Sequence, residues 1–362
     1  MKIGILTFHA VINYGAVLQA YGLQTFLARM GHEVEIINFM PDEVYAYYDY
    51  HIFSKPLSLR SVVAKTLRRQ RAEIEFKAFE DFRGNWLSLT RRCNTTTELA
   101  AVCSYFDAVI CGSDQIWNPM ANGNRMNDYY LGTVPHSVRK IAYAASFGNV
   151  KVIDGREDEV AKLLTSFMGI SVREEEAVAK IACLSDVPVQ RVIDPSMLLS
   201  REDYRRVELR SSSKGGYILT YKLNENKSMD AAVARASKFL GLPIVSLGRK
   251  LSKSTFKKDI GPGEFLGLYA DATCVITNSF HGTAFSLLYG KPFLTFGNGA
   301  YNSRMETLLG IAQQEERLCA DCPSVEKIES LLRVSPTPDF ETLVGPERVR
   351  AAKFLHDALD GE

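Results

Sequence analysis

The 362-residue chain has almost no net charge: 43 lysines and arginines stand against 42 acidic residues, a formal +1 with histidine neutral. Nucleic-acid binders hold phosphates with an excess of basic side chains, so this balance argues against a dedicated DNA or RNA role. Long apolar runs are missing too. No stretch reaches the roughly 18 residues of a membrane-spanning helix, and the opening Met1-Lys2-Ile3-Gly4-Ile5-Leu6-Thr7-Phe8 reads as a buried strand too short for a signal-peptide core. A cytoplasmic protein is expected. Cysteine is scarce and scattered, seven in all, which excludes a disulfide framework; Cys111 and Cys274 sit in apolar runs as small hydrophobes. Cys319-Ala320-Asp321-Cys322 has the spacing of a zinc knuckle, but no second pair completes four ligands, and no other cluster of carboxylates or histidines suggests a metal. No period of roughly 20 to 50 residues recurs, so a solenoid is excluded.

What is present is the grammar of a doubly wound sheet. An apolar run at residues 3–8 leads through Asn13-Tyr14-Gly15 into a helix with Leu23, Phe26, Leu27 and Met30 on one face, then Gly31 and a second apolar run at 34–39. The pattern returns at 217–221, a helix with Ala232, Ala236, Phe239 and Leu240, the cap Gly241, and 243–247. Further strands are expected at 108–111, 140–144, 169–172, 274–277 and 293–296. With 46% hydrophobic residues there is a large core to bury, and the length suits two domains. The expectation is an α/β protein of two Rossmann-like domains facing a cleft: residues 1–180, with a helical insertion at 41–92; residues 181–345; and a helix at 346–362 returning toward the first domain. The insertion pairs aromatics (Tyr45, Tyr47, Tyr48, Tyr50) with a basic helix (Arg60, Lys65, Arg68, Arg69, Arg71, Lys77). It reads either as a solvated cover over the sheet or, through residues 60–92, as a peripheral contact with anionic headgroups at the inner face of a membrane.

The most informative segment is Cys274-Val275-Ile276-Thr277-Asn278-Ser279-Phe280-His281-Gly282-Thr283-Ala284. A buried strand ends in a short polar loop and a helix begins near Gly282, placing His281 at a helix N-terminus on the carboxyl edge of a sheet. Ligands bind at that edge, and the N–H groups of a first helical turn favour phosphate or carboxylate. A lone histidine there is either a hydrogen-bonded loop residue or a proton carrier; the small polar neighbours Asn278, Ser279, Gly282 and Thr283 leave room for a ligand and favour the second.

These residues carry a resemblance. Asn13-Tyr14-Gly15-Ala16, Cys111-Gly112-Ser113-Asp114-Gln115-Ile116-Trp117-Asn118, Ser171-Val172-Arg173-Glu174, the Asp194-Pro195 step and Ser279-Phe280-His281-Gly282 together are similar, in order along most of the chain, to the polysaccharide pyruvyltransferase family. The resemblance implies a GT-B-like fold, phosphoenolpyruvate as donor substrate with no other cofactor, and a pyruvate ketal on a sugar of a cell-surface glycan precursor, free or lipid-linked. It implies that His281 lies near the donor, where a histidine is the natural residue for acid/base work, and that Arg173 contacts the donor. Many members have Arg-Leu-His where this chain has Ser279-Phe280-His281, so either Lys291, Arg249 or Arg304 supplies the missing cation or the donor is held differently.

On this reading the donor side comprises Arg173, Asn278, Ser279, Phe280, Gly282, Thr283 and Lys291. The acceptor side comprises Asn13, Ser113, Gln115 and Trp117, with Asp114 as a second base. Each has a plainer alternative: a surface ion pair with Glu174 to Glu176 for Arg173, a turn or cap for Asp114, core packing for Trp117. The segment Gly261-Pro262-Gly263-Glu264 is a turn or a donor loop. A glycosyltransferase using a nucleotide sugar is the alternative activity, and a sugar-phosphate-binding protein without turnover is the non-enzymatic one.

Overall fold

A computed structural model describes residues 1–41, 59–210, 216–297, 302–337 and 339–361, with the side chains of 59–72 excepted. The aromatic run at Tyr45, Tyr47, Tyr48 and Tyr50 and the side chains of Arg60, Lys65, Arg68, Arg69 and Arg71 therefore lie outside the described residues. The chain divides into two compact units: Met1–Gln70, Phe79–Leu199 and Pro346–Glu362 form the first, Arg71–Ala78 and Ser200–Gly345 the second.

The first unit is a six-stranded, fully parallel sheet. Its strands are β1 (Lys2–Leu6), β2 (Glu33–Ile36), β3 (Ala108–Cys111), β4 (Arg139–Ala145), β5 (Gly169–Val172) and β6 (Val189–Arg191), in the order β2-β1-β3-β4-β5-β6. The central strands read as apolar runs because both faces are covered, as parallel sheets require. Helix Tyr14–Arg29 makes the crossover from β1 to β2, and Gly31, at φ +92°, lets the chain turn back into β2. The boundary falls after Leu199 rather than after residue 180, because β6 continues the first sheet with Ile170 opposite Val189. The C-terminal residues from Pro346 belong to this unit. Glu347 accepts from Arg191 at 2.9 Å, and Arg348 donates to the carbonyls of Met197 and Leu199 at 2.8 and 2.9 Å.

The second unit holds β7 (Ile218–Lys222), β8 (Ile244–Gly248), β9 (Ser254–Phe256), β10 (Cys274–Thr277), β11 (Phe293–Phe296) and β12 (Leu318–Cys319), also parallel, in the order β12-β11-β10-β7-β8-β9. Helix Lys227–Leu240 buries Ala232, Val233 and Ala236 and ends on Gly241 at φ +66°, a left-handed cap. Gly261 caps helix Pro262–Asp271, its N–H donating to Glu264 at 3.1 Å, so that segment is a helix start.

Each sheet has one place where the strand order reverses direction: between β1 and β3 in the first, between β7 and β10 in the second. At such a switch point the flanking connections leave toward opposite faces and open a crevice at the carboxyl ends of the strands. The Asn13 and Ser113 loops border the first crevice, and the Asn278-to-Gly282 turn borders the second.

Candidate functional site

In the second unit, β10 ends at Thr277 and the turn that follows is built by its own side chains. Asn278 accepts from the Leu223 N–H at 2.8 Å and donates to the Asn224 carbonyl at 2.9 Å, strapping down the loop after β7. Ser279 is the N-cap of helix Phe280–Leu288, its hydroxyl accepting from the Gly282 N–H at 3.2 Å. Thr283 turns its hydroxyl away from the turn, onto Ser279 O at 3.1 Å and Thr295 Oγ1 at 2.8 Å. Gly282 has no room for a side chain, since a Cβ would stand 2.2 Å from Thr277 Oγ1. These four residues, expected to touch a donor, fix the backbone that presents His281. The imidazole, 7% exposed, sits edge-on to Phe280 with ring centroids 5.2 Å apart, and the guanidinium of Arg304 stands 6.0 Å from the Phe280 ring centre.

Lys222 and the donor candidate Arg249 stand at the carboxyl edge of the same sheet. Lys222, the last residue of β7, is buried and donates to both oxygens of Asp230 at 2.8 and 2.9 Å and to Glu225 at 2.9 Å. Burial pulls its pKa down, but the two carboxylates outweigh that and raise it. Arg249 binds the Leu223 carbonyl at 2.8 Å and Glu225 at 2.9 Å. Both charges are balanced within the protein.

Lys291 is misplaced by the sequence reading. It follows helix Phe280–Leu288 and precedes β11, so nine residues of helix, about 13 Å, carry it to the amino edge of the sheet, away from His281. There its ammonium donates to the Ala270 carbonyl at 2.7 Å and lines a cavity of about 490 Å³ with Thr273, Leu240 and Arg333; burial, helped by Arg201, lowers its pKa.

In the first unit the carboxyl edge is crossed by one continuous buried polar network. Gln19 donates to Thr7 Oγ1 at 2.9 Å and accepts from the Ser113 N–H at 3.2 Å. The Ser113 hydroxyl reaches Asp194 Oδ2 at 3.1 Å, and the same oxygen accepts from Arg173 Nη1 at 2.6 Å. Arg173 Nη2 continues to Ser146 Oγ at 2.9 Å, and Ser146 donates to Glu174. Arg173 is 3% exposed, so neither a surface ion pair nor an open donor contact describes it: its fork is engaged by Asp194 and Ser146. Burial pulls its pKa down, and the carboxylates of Asp194, Glu174 and Asp114 more than reverse the effect. One cation among three carboxylates gives this crevice a negative interior, which suits hydroxyl groups better than a phosphate.

The acceptor candidates divide. Trp117 is fully buried, stacked on Tyr130 at 4.6 Å with its N–H on the Tyr129 carbonyl at 3.2 Å, so it is a core residue with no face for a sugar. Ser113 is equally buried, inside the network. Asn13 uses its side-chain oxygen to cap helix Tyr14–Arg29, accepting from Gly15 and Ala16 at 3.0 and 3.3 Å. Asp114, at φ +63°, and Gln115 remain half-exposed at the crevice, with Asp114 Oδ1 accepting from the Gln115 N–H at 2.8 Å and Gln115 Oε1 from Asn118 at 3.0 Å. Sequence reasoning gave Glu174 and Asp194 no place in the site, although both stand in the segments that carry the resemblance, and it missed Ser146 and Gln19. The available signal for Ser146 and Glu174 was a polar residue placed within two positions of the end of a buried strand; Gln19, inside a helix, gave none.

Among the described residues, no helix is long and apolar enough to cross a membrane, and no three His, Cys, Asp or Glu side chains gather as a metal site. A family model described as polysaccharide pyruvyl transferase matches residues 13–300. Among proteins of curated function, none matches this chain in sequence. Solved structures with similar folds include UDP-N-acetylglucosamine 2-epimerase from Rickettsia bellii, at 9% identity over 99% of this chain and 97% of that one, TM-score 0.54. The UDP-GlcNAc 2-epimerase from Neisseria meningitidis bound to UDP-GlcNAc is 13% identical over 100% of both chains, TM-score 0.53. That from Methanocaldococcus jannaschii is 10% identical over 98% and 99%, TM-score 0.52. Likeness at this identity concerns the fold, which is GT-B-like.

Proposed function

This chain belongs to the polysaccharide pyruvyl transferase family, and we propose that it transfers pyruvate from phosphoenolpyruvate to two hydroxyls of a sugar in a cell-surface glycan precursor, forming a ketal. The observation that carries the reading is His281, held in the first turn of a helix at the switch point of the second sheet by a turn whose other side chains are occupied in building it. In the reaction the enol CH₂ carbon gains a proton and becomes a methyl group. One sugar hydroxyl adds to C2 and loses its proton, the C2–O bond to phosphate breaks, and the second hydroxyl adds to the same carbon and gives up its proton, which the departing phosphate takes. Phosphate leaves and the ketal remains. An imidazole can carry a proton on either ring nitrogen, so it is suited both to giving the proton to carbon and to taking one from a hydroxyl. The helix N-terminus beside it favours the donor's anionic groups.

The negative interior of the first crevice supports placing the sugar there. Asp114 and Gln115 are its half-exposed polar groups; Asp114 would serve as a base toward a hydroxyl, and Asp194 and Arg173 would hold the loop that bears it. We further propose that the acceptor is lipid-carried and that helix Leu59–Trp86 brings the enzyme to the membrane face, a reading supported by exposed Ile74 and Phe76 on that helix. Incubation with phosphoenolpyruvate and a galactoside should release phosphate and add one pyruvate to the acceptor. Gain of one hexose from a UDP-sugar, without phosphoenolpyruvate use, would reject the reading in favour of a glycosyltransferase.

A further inference from the structure

At the first crevice the polarity of the Gln115 side chain can be traced outward from the backbone. The Met120 N–H can only donate, and Asn118 Oδ1 accepts it at 3.0 Å. That turns the other half of the Asn118 amide, Nδ2, to Gln115, where it donates to Oε1 at 3.0 Å. Asn118 is 7% exposed, so water competes little for its amide. Gly148, at φ +72°, closes in on the same Gln115 oxygen, from which a Cβ would stand only 2.3 Å. With its oxygen committed, the half-buried Gln115 has its NH₂ left to offer, and among the described residues nothing accepts from it.

Asp114 is fixed as the complement of that donor. Its carbonyl accepts from the Ile116 and Ser146 N–H groups at 2.7 and 3.1 Å, which holds the residue in its left-handed conformation. Its Oδ1 accepts from the Gln115 N–H at 2.8 Å, leaving Oδ2 as an acceptor. Consecutive residues therefore offer one donor and one acceptor. Two neighbouring oxygens of a sugar match such a pair, one hydroxyl giving its hydrogen to the carboxylate and the other oxygen receiving one from the amide.

We propose that Gln115 selects the acceptor by donating through Nε2 to a sugar oxygen next to the hydroxyl held by Asp114, and that Asn118 is the positioning residue that sets this polarity. The assignment rests on the first crevice taking the sugar of the proposed reaction. It narrows the substrate class: the neighbouring position must carry an oxygen with a lone pair to give, so a hydroxyl or an ether fits and a protonated amine does not.

Steady-state transfer from phosphoenolpyruvate to a galactoside by the full chain tests it, using wild type, Gln115→Glu, Asn118→Asp and Asn118→Ser. Gln115→Glu keeps the bond from Asn118 and exchanges the outward donor for an acceptor. Its kcat/KM for the galactoside should fall about 10- to 100-fold, while the KM for phosphoenolpyruvate and the urea midpoint stay put. Asn118→Asp still accepts from the Met120 N–H but cannot donate, so the Gln115 amide must turn over and present its oxygen; the fall should be of the same size. Asn118→Ser, whose hydroxyl can donate, should lose less. A purely structural Asn118 would give the opposite order, because aspartate keeps its shape and serine does not. Wild-type kcat/KM in Gln115→Glu, an equal loss for donor and acceptor, or a greater loss in Asn118→Ser than in Asn118→Asp would overturn the assignment. If Asn118→Asp lowers the urea midpoint, Gln115→Glu decides alone. A wild-type chain that adds no pyruvate to the galactoside would instead overturn the proposed reaction, and the assignment with it.

Discussion

Asp194 is the residue whose removal should be felt most in the first unit. Its side chain is completely buried and accepts from four groups: Arg173 at 2.6 Å and Ser113 at 3.1 Å on one oxygen, the Ser196 N–H and hydroxyl at 2.9 and 2.7 Å on the other. Asp194→Ala leaves the Arg173 guanidinium charged and buried beside Ser146 and Glu174 without its nearest carboxylate. Breaking a buried pair by deleting one partner costs about 3–5 kcal/mol, because the remaining charge keeps its desolvation penalty. At a urea slope of about 2 kcal/mol per molar, the midpoint should fall by about 1.5–2.5 M. Ser113→Ala, which removes one hydroxyl from the same oxygen, should cost only about 1 kcal/mol. The assay is built into the chain: both tryptophans, Trp86 and Trp117, belong to the first unit, so their emission follows that unit alone. A shift below about 0.5 M for Asp194→Ala would show that water reaches the pair, and the network would lose its structural role.

Other outcomes follow from the same geometry. His281→Ala should lower kcat by about 100-fold or more while the urea midpoint stays unchanged, as a proton-transfer group would; retained turnover would remove the proposed role. Burial holds the His9 imidazole below its ordinary 6.5 despite its bonds to Asn38 and Thr7, so its folded form resists protonation. Its contribution to stability is complete above about pH 6.5 and is lost as pH falls toward the depressed folded value. The urea midpoint followed by tryptophan emission should therefore drop between pH 7.5 and 5.5, and less steeply in His9→Gln. At Gly22 a Cβ would stand 2.3 Å from the Pro195 carbonyl oxygen, so Gly22→Ala should cost about 1–3 kcal/mol by displacing the Asp194-Pro195 step, read by the same emission. Lys291→Ala should leave turnover at the wild-type level, since its ammonium faces the opposite edge of the sheet; a large loss would contradict that placement.

Local order in this protein is written in local signals. Apolar runs such as residues 3–8 and 274–277 mark strands because a parallel sheet buries both faces, and Asn13, Ser279 and Gly241 mark helix ends because a helix leaves unpaired N–H and C=O groups there. From these the α/β class, the two sheets and the position of His281 at a helix N-terminus could all be read. Strand pairing decided the rest. Which edge a residue occupies depends on the length and direction of the element before it, so Lys291, ten residues from His281, ends on the far side. Whether Trp117 meets a sugar or Tyr130 depends on what packs above its loop. The Gln19–Ser113–Asp194–Arg173–Ser146 network joins residues that four parallel strands and the first helix bring to one edge from distant points in the chain, and Arg304 reaches Phe280 because β10 and β11 are neighbours. Periodicity reports a residue's own element; its partners are set by the order in which the strands assemble.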